Sequence, residues 1–182
     1  MGSLLLLAGC GFAPYGLSGK YIANRSVVIP VDMPANAPSI AQQFIAFEHE
    51  GIDIWAEKGT AVLAAADGVV TRATTGPIHG NQMTIDHSGS AEGYQTIYWH
   101  LRDMAVAKGD RVTRGQQIGT MGSTGLLAAG ITHLHFEVRL FDDRGWPIAE
   151  DPHLHWAGGV GKVTCFQPEV DYQRLTYPVV CR

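Results

Sequence analysis

The stretch HLHFEVRL at residues 133–140 alternates between polar and apolar side chains along its whole length. Successive side chains of a β-strand point to opposite faces, so the pattern predicts a strand that packs one apolar face into a core. The other face would carry His133 and His135, whose Cβ atoms would lie ~7 Å apart and could both reach one small site. Such a pair could bind a metal, but a single His-x-His on a strand is more often structural or exposed. His153 and His155 have the same spacing.

Short strand-like segments continue on both sides of this stretch and recur every ~8–12 residues, which is typical of a β-sandwich or barrel. They lie at residues 52–55, 61–66, 69–73, 82–87, 95–101 and 117–121. The 22 glycines allow many tight turns between them. We therefore expect an all-β fold, a compact antiparallel sandwich, with one weak helical candidate at 38–47.

The chain of 182 residues is long enough for one domain with short flanking segments. Residues 11–44 contain several prolines and no regular pattern, which predicts an irregular tether that leads into an organised domain at 45–157. Residues 158–182 form a short tail that we expect to lie against the domain. The net charge of -4, without runs of like charge, argues against a nucleic-acid partner. We also expect the protein to be a monomer.

The N-terminal segment 1–10 resembles an export signal, because an apolar run at 4–7 is followed by small residues and a cysteine. The run is too short to span a membrane, which takes ~20 apolar residues. The string LAGC at 7–10 resembles a bacterial lipobox, which implies cleavage before Cys10 and attachment of a lipid anchor to its sulfur. No Lys or Arg lies within the segment, so a leader with a chance cysteine is the alternative. With the anchor, and with Gly11 beside it, we expect a periplasmic lipoprotein of the outer membrane.

The two remaining cysteines, Cys165 and Cys181, lie near the C-terminus. In an oxidising periplasm they could form a disulfide, and closing a loop of this length contributes ~3 kcal/mol in the chain-entropy model. The alternative is two buried free thiols. The predicted export favours the disulfide.

A second group of candidate ligands lies in HEGID, residues 49–53. Gly51 permits a sharp bend between His49 and Asp53, and Asp53 falls on the polar face of a predicted strand. Two imidazoles and one carboxylate suit zinc, and three protein ligands leave the fourth tetrahedral position for water, as a catalytic site requires. Each segment taken alone is weak evidence for a metal site.

Four segments together resemble the LytM/lysostaphin-type zinc metallopeptidase family in their order and spacing. They are HEGIDIWAEKGTAVLAAADGVV at 49–70, IYWHL at 97–101, KGDRVTRGQQIGTMGSTG at 108–125 and HLHFEVR at 133–139. The resemblance covers roughly residues 45–157 and implies a compact β fold, the duplicated hybrid motif, also described as a barrel-sandwich hybrid. The chain departs from the family at Ile131-Thr132, where Gly-Pro is common, which affects the expected substrate preference but no ligand position.

The resemblance also implies roles for individual residues. His49, Asp53 and His135 match the family's zinc ligands. His133 and His100 match its two catalytic histidines that do not bind the metal. We expect His133 to act as the general base and His100 to stabilise or protonate the tetrahedral intermediate, although the two roles could be exchanged.

Two further side chains are expected to contact substrate. Asn81 matches a family position near the groove. Tyr98 shares a face with His100 if the strand at 95–101 alternates regularly, which places Trp99 in the core. We expect structural or groove-edge positions for the other histidines, which are His79, His87, His153 and His155. We expect Glu50 at the exposed rim of the site.

The function implied by the resemblance is zinc-dependent endopeptidase hydrolysis of the peptide cross-links in bacterial peptidoglycan, with stem peptides as substrate. Export to the periplasm makes D-Ala–meso-diaminopimelate the expected bond, a D,D-endopeptidase reaction, and a Gly-Gly bridge the second choice. The alternative is a non-catalytic LytM-type activator or scaffold of cell-wall amidases, in which the metal site is typically broken. The intact ligand and histidine positions favour the enzyme.

Overall fold

The computed structural model describes residues 29–89 and 93–182. The predicted signal segment 1–10, the predicted lipidation site Cys10 and the first part of the predicted tether lie outside these ranges and remain predictions. Within the described ranges, no helix is long and apolar enough to cross a membrane.

The described residues form eleven β-strands, and every pairing between these strands is antiparallel. The strands are β1 (Ile40–Gln42), β2 (Ile52–Ile54), β3 (Ala61–Leu63), β4 (Gly68–Gly76), β5 (Gly80–Asp86), β6 (Tyr94–Leu101), β7 (Asp103–Met104), β8 (Arg111–Val112), β9 (Gln117–Thr120), β10 (Leu134–Phe141) and β11 (Pro147–Glu150). In the same residues the helical content is two short 3-10 helices, at Leu126–Ala128 and Pro152–Leu154. The expected all-β antiparallel fold is confirmed.

Strand β10, which contains most of the alternating stretch, lies within the larger of two sheets. The order of this sheet is β1-β2-β10-β6-β5-β4-β8, and β11 pairs with the second half of β10. Strands β3, β9 and β7 form the smaller sheet. Strands β2 and β6 pair with opposite edges of β10. The side chains of β10 are therefore held in a fixed register with those of both neighbouring strands.

The apolar face of β10 lies at the centre of the hydrophobic core, as its alternation predicts. Leu134, Phe136 and Val138 are fully buried, and burying each such side chain contributes about 1.5–3 kcal/mol. Val62 of β3 and Ile118 of β9 belong to the same cluster, so the two sheets share one core. This packing fixes the direction of the opposite face of β10, which carries the paired histidines.

The predicted helix at 38–47 is wrong, because the segment contains strand β1. Ile40 pairs with Ile54 of β2 and packs against the core. The backbone N–H of Trp55 also donates to the carbonyl of Ser39 at 2.9 Å. Pairing with the next strand along the chain outweighs the weak local helix preference that the sequence shows.

The chain that precedes the predicted domain is partly attached to it. Val31 and Met33 pack against the core, and the N–H of Asp32 donates to the carbonyl of Gly161 at 2.8 Å. The described part of the predicted tether, residues 29–44, is therefore held against the domain along much of its length.

The tail lies against the domain, as expected, and it also completes the core. Tyr177 and Val179 are buried, and Val179 forms a β-bridge with Val62. Cys165 and Cys181 form the expected disulfide, with an S–S distance of 1.95 Å and a Cα–Cα distance of 6.0 Å.

Candidate metal and catalytic site

Strands β2 and β10 place two of the three predicted ligands side by side. His135 and Asp53 are direct partners in the ladder between these strands, so their side chains leave the sheet on the same face. His49 comes from a tight turn that precedes β2, in which the N–H of His49 donates to the carbonyl of Ile45 at 2.8 Å. Phe47, at the tip of this turn, has a φ of 69°. The turn folds the side chain of His49 back toward Asp53 and His135.

The ligand atoms of these three residues converge. Asp53 Oδ1 lies 3.0 Å from His49 Nε2 and 2.8 Å from His135 Nδ1, and the two nitrogens are 3.1 Å apart. Ligands of a tetrahedral zinc ion with bonds of ~2.0–2.1 Å lie about 3.3 Å from one another. The observed triangle is close to that size, and its donor set of two imidazoles and a carboxylate suits zinc. The structure therefore brings together the three metal ligands that the sequence predicts.

Hydrogen bonds assign the protons of the ligand histidines. His49 Nδ1 donates to the carbonyl of Gln43 at 2.8 Å, which leaves the Nε2 lone pair for a metal. Burial raises the pKa of Asp53, but its hydrogen bonds with His135 and His49 outweigh burial and hold that pKa well below its usual range. The carboxylate is therefore ionised and ready to coordinate a cation.

The two predicted catalytic histidines lie next to the ligands. The rings of His100 and His133 are 4.7 Å apart, and His133 Nε2 lies 3.8 Å from Asp53 Oδ2. His133 Nδ1 donates to the carbonyl of Ile131 at 3.1 Å, and His100 Nδ1 donates to the carbonyl of Thr124 at 2.9 Å. Each backbone carbonyl holds one proton on Nδ1 and so leaves Nε2 as the nitrogen available for proton transfer. Burial is the main cause that lowers the pKa of His100 to about 4.

The prediction that Tyr98 contacts substrate is wrong, because its side chain is fully buried in the core. Its hydroxyl accepts from the N–H of Ala65 at 3.1 Å, and its ring packs edge-on against Phe136. Burial raises the pKa of Tyr98 to about 12. The reason lies in the backbone of His100, whose φ of 67° interrupts the regular alternation of β6. Tyr98 and His100 therefore do not share a face.

Trp99 takes the place that was predicted for Tyr98, so its prediction as a core residue is also wrong. Trp99 is the ladder partner of His135, and their rings stack with centroids 4.6 Å apart. His79 also stacks on Trp99, at 3.9 Å, which gives His79 a position at the edge of the site. The position of Trp99 could have been predicted from the pairing of β6 with β10, but not from the pattern of β6 alone.

Asn81 links chain segments near the site. Its Nδ2 donates to the carbonyl of Arg102 at 2.8 Å, and its Oδ1 accepts from the hydroxyl of Thr75 at 2.6 Å. Its backbone N–H donates to the hydroxyl of Thr124, whose carbonyl holds His100. Asn81 thus supports His100, a predicted catalytic residue, through Thr124, and the contact of Asn81 with substrate remains a prediction.

The other histidines have the structural contacts expected for them. His87 is buried and bonds the carbonyl of Asp67 at 2.6 Å and the hydroxyl of Thr96 at 2.7 Å. His153 bonds Gln43 and Trp156, and His155 bonds Glu150.

Comparison with known proteins identifies relatives of the site-bearing region. The family model described as peptidase family M23 matches residues 47–149, a range that contains all five predicted metal and catalytic residues. The chain is 43% identical over 89 residues to the peptidoglycan DD-endopeptidase ShyC of Vibrio cholerae, a match that covers 49% of this chain and 19% of that protein. It is 42% identical over 100 residues to the DD-carboxypeptidase/endopeptidase Mpg of Neisseria meningitidis, covering 55% and 21%. The matched region thus spans about a fifth of these curated relatives.

Solved structures share the fold. A zinc-containing peptidase from Vibrio cholerae is similar with a TM-score of 0.54 at 33% identity, covering 66% of this chain and 37% of that one. LytU is similar with a TM-score of 0.53 at 30% identity, covering 67% of this chain and 86% of that one.

Proposed function

This chain belongs to peptidase family M23, and on that premise we propose that it is a zinc-dependent endopeptidase that hydrolyses peptide cross-links of bacterial peptidoglycan. One observation carries the proposal: His49, Asp53 and His135 converge on a single point, and His133 Nε2 lies only 3.8 Å from the free oxygen of Asp53. A protein that merely bound cell wall would have no need for a ligand set with two further histidines beside it.

The chemistry divides between the metal and the histidines. Zinc in this site would act as a Lewis acid that polarises the scissile carbonyl and lowers the pKa of water toward ~7. His133 accepts the proton of the attacking water on Nε2, because the carbonyl of Ile131 keeps the proton of the neutral ring on Nδ1. The Asp53 carboxylate at 3.8 Å stabilises the imidazolium that results.

His100 acts on the intermediate that forms after water attacks the scissile carbonyl. The carbonyl of Thr124 anchors its Nδ1, so the ring presents Nε2 beside the ring of His133. From this position His100 stabilises the tetrahedral intermediate or returns a proton to the leaving amine. The anchoring carbonyls fix both rings in place before substrate arrives, which reduces the entropic cost of reaching the transition state.

We propose a D,D-endopeptidase reaction at the D-Ala–meso-diaminopimelate bond, with a Gly-Gly bridge as the second choice. The similarity to ShyC, described as a peptidoglycan DD-endopeptidase, supports the first choice. We also propose that the protein is a monomeric periplasmic lipoprotein anchored through Cys10. The Cys165–Cys181 disulfide supports an oxidising compartment such as the periplasm.

Digestion of purified peptidoglycan tests the proposal. The wild-type protein, loaded with zinc, is incubated with sacculi cross-linked through D-Ala–meso-diaminopimelate and, in parallel, with sacculi that carry glycine bridges. Mass spectrometry of the released fragments identifies the bond that is cut. We expect cleavage of the first substrate by wild type, loss of cleavage in His135→Ala, and retained cleavage in His155→Ala, which changes a histidine outside the site.

Three other results would redirect the proposal. Fragments released only from glycine-bridged sacculi would show that the enzyme cuts a Gly-Gly bridge instead of the D-Ala–meso-diaminopimelate bond. Intact sacculi together with stimulation of an added amidase would favour a non-catalytic activator. Equal cleavage by wild type and His135→Ala would contradict the metal site.

A further inference from the structure

Glu137 is a buried carboxylate that the proposed reaction does not use. It lies on the same face of β10 as His135, and only 1% of its surface is exposed. An ionised carboxylate is costly to bury unless its oxygens have partners. One oxygen, Oε1, lies 3.2 Å from His135 Nε2, and the other, Oε2, accepts from Arg139 Nε at 2.5 Å.

The two oxygens of Glu137 are divided between a cation and a metal ligand. An arginine that served only to neutralise the acid could take both oxygens in a bidentate pair. Here Arg139 holds one oxygen and extends to Glu50 at the surface, 3.5 Å away, which leaves the other oxygen of Glu137 for His135. The period of the strand aligns the three side chains, since positions 135, 137 and 139 share one face.

The contact with Glu137 fits only one way of binding a metal through His135. Nδ1 is the atom that converges with Asp53 Oδ1, at 2.8 Å, and His49 Nε2, at 3.1 Å, so a metal would take the place of a proton on Nδ1. Nε2 then keeps its proton and donates it to Glu137 Oε1, because a carboxylate can only accept. Trp99, stacked on the same ring, limits its rotation.

We propose that Glu137, held by Arg139, is a positioning residue that orients His135 with Nδ1 toward the metal and accepts the proton of Nε2, and thereby sets the affinity of the site for zinc. The inference rests on the metal site of the proposed function but not on the bond that is hydrolysed. Carboxylate partners of metal-bound imidazoles typically change metal affinity by roughly 10–100-fold when they are removed.

The test is the zinc dissociation constant of Glu137→Gln, measured on the full chain by competition with a chromophoric chelator. Glutamine keeps the shape of the side chain but removes the charge that favours the proton on Nε2. We expect zinc to bind roughly 10–100-fold more weakly than in wild type. A dissociation constant within about twofold of wild type would overturn the inference.

Glu150→Gln is the matched control. Glu150 is also buried and lies 2.7 Å from a histidine nitrogen, His155 Nε2, but that histidine is not one of the converging ligands. We expect Glu150→Gln to leave the zinc dissociation constant unchanged even if it lowers the melting temperature of the metal-free protein. Equal weakening of zinc binding in both variants would mean that general loss of stability is responsible, and would also overturn the inference.

A second readout reports the hydrogen bond directly. Imidazole NMR of the zinc-loaded protein should show the His135 Nε2 proton in a strong hydrogen bond in wild type and in a weaker one in Glu137→Gln. If Glu137→Gln does not fold, Glu137→Asp withdraws the carboxylate by one methylene and should weaken zinc binding in the same direction. Failure of the wild-type protein itself to bind zinc would contradict the proposed function, whereas normal binding by every Glu137 variant would contradict only the positioning role.

Discussion

Asp53 and His135 are direct partners in the ladder between β2 and β10, and their ligand atoms are 2.8 Å apart although 82 residues separate them in the chain. The two ligands meet only when these strands pair, so the metal site exists only in the folded protein. Metal binding and folding are therefore coupled, because a ligand that binds only the folded state stabilises it.

Zinc should raise the melting temperature of the metal-free protein. The stabilisation follows RT ln(1 + [L]/Kd), which is about 4 kcal/mol when free zinc is roughly a thousandfold above the dissociation constant. Thermal unfolding with zinc and with a chelator measures the difference. His135→Ala should lose the zinc-dependent rise, whereas His155→Ala should keep it. A full rise in His135→Ala would contradict the ligand assignment.

His133→Ala should retain zinc and lose most of its activity. The side chain lies beside the ligands rather than among them, and removing a general base typically lowers the rate by ~10²–10⁴-fold. Metal analysis gives the zinc content, and release of cross-linked fragments gives the rate. A variant with normal zinc and near wild-type turnover would show that His133 is not the base.

Gly51→Ala should destabilise the protein and weaken zinc binding together. A Cβ at this position would lie 2.6 Å from the carbonyl oxygen of Phe136 and 2.9 Å from the ring of His135. Overpacking of this kind costs ~1–3 kcal/mol. Denaturant unfolding and a zinc titration provide the two measurements. Gly89→Ala, where a Cβ would meet nothing within 4 Å, is the control and should behave like wild type.

Tyr98→Phe should lower stability without affecting substrate binding. The substitution leaves the N–H of Ala65 without its partner in a buried position, which costs about 1–3 kcal/mol. Unfolding free energy and KM on a soluble cross-linked peptide separate the two effects. A raised KM at unchanged stability would restore Tyr98 as a substrate contact.

The stability of the metal-free protein should fall in mild acid partly because of His153. Trp156 Nε1 can only donate, so its 2.9 Å hydrogen bond to His153 Nδ1 requires that nitrogen to be unprotonated. Burial lowers the pKa of His153 to about 4. Because this folded-state pKa lies below the usual ~6.5, the stabilisation is present above pH ~6.5 and is lost as the pH falls toward the folded-state value.

The full effect between neutral pH and pH ~4 is about 3 kcal/mol. Unfolding of wild type and His153→Gln across this range measures it, and the two pH profiles are compared by slope, since the substitution also changes stability at neutral pH. The wild-type slope should be steeper below pH ~6.5. Parallel profiles would show that His153 does not contribute.

The sequence was sufficient to predict β10 and the ligand set. The apolar residues of β10 are buried in the core, as its alternation predicts. The ligand set was implied by the resemblance of short motifs to the metallopeptidase family, and those three residues converge in the structure. The predicted bend at Gly51 is present, although its φ is not positive. The structure also needs glycine there because His135 and the backbone of Phe136 approach closely.

The remaining errors come from information that is not local. The exchange of Tyr98 and Trp99 follows from the pairing of β6 with β10, which places Tyr98 opposite Phe136 and Trp99 opposite His135. The positive φ of His100 then separates His100 from the face of Tyr98. Strand β1 depends on a partner in β2, and Glu137 gains its importance only from Arg139 and His135 beside it. Pairing across strands, rather than composition along one strand, decided each of these positions.

Every proposed metal and catalytic residue precedes residue 136, yet Leu175, Tyr177 and Val179, far downstream, fill the centre of the molecule. A shortened form that ended before residue 175 would keep the complete reactive machinery and lack part of the interior that supports it. Proteolytic removal of this region would thus abolish activity without removing a single reactive group. A purification tag placed there must leave those three side chains free to pack into the core.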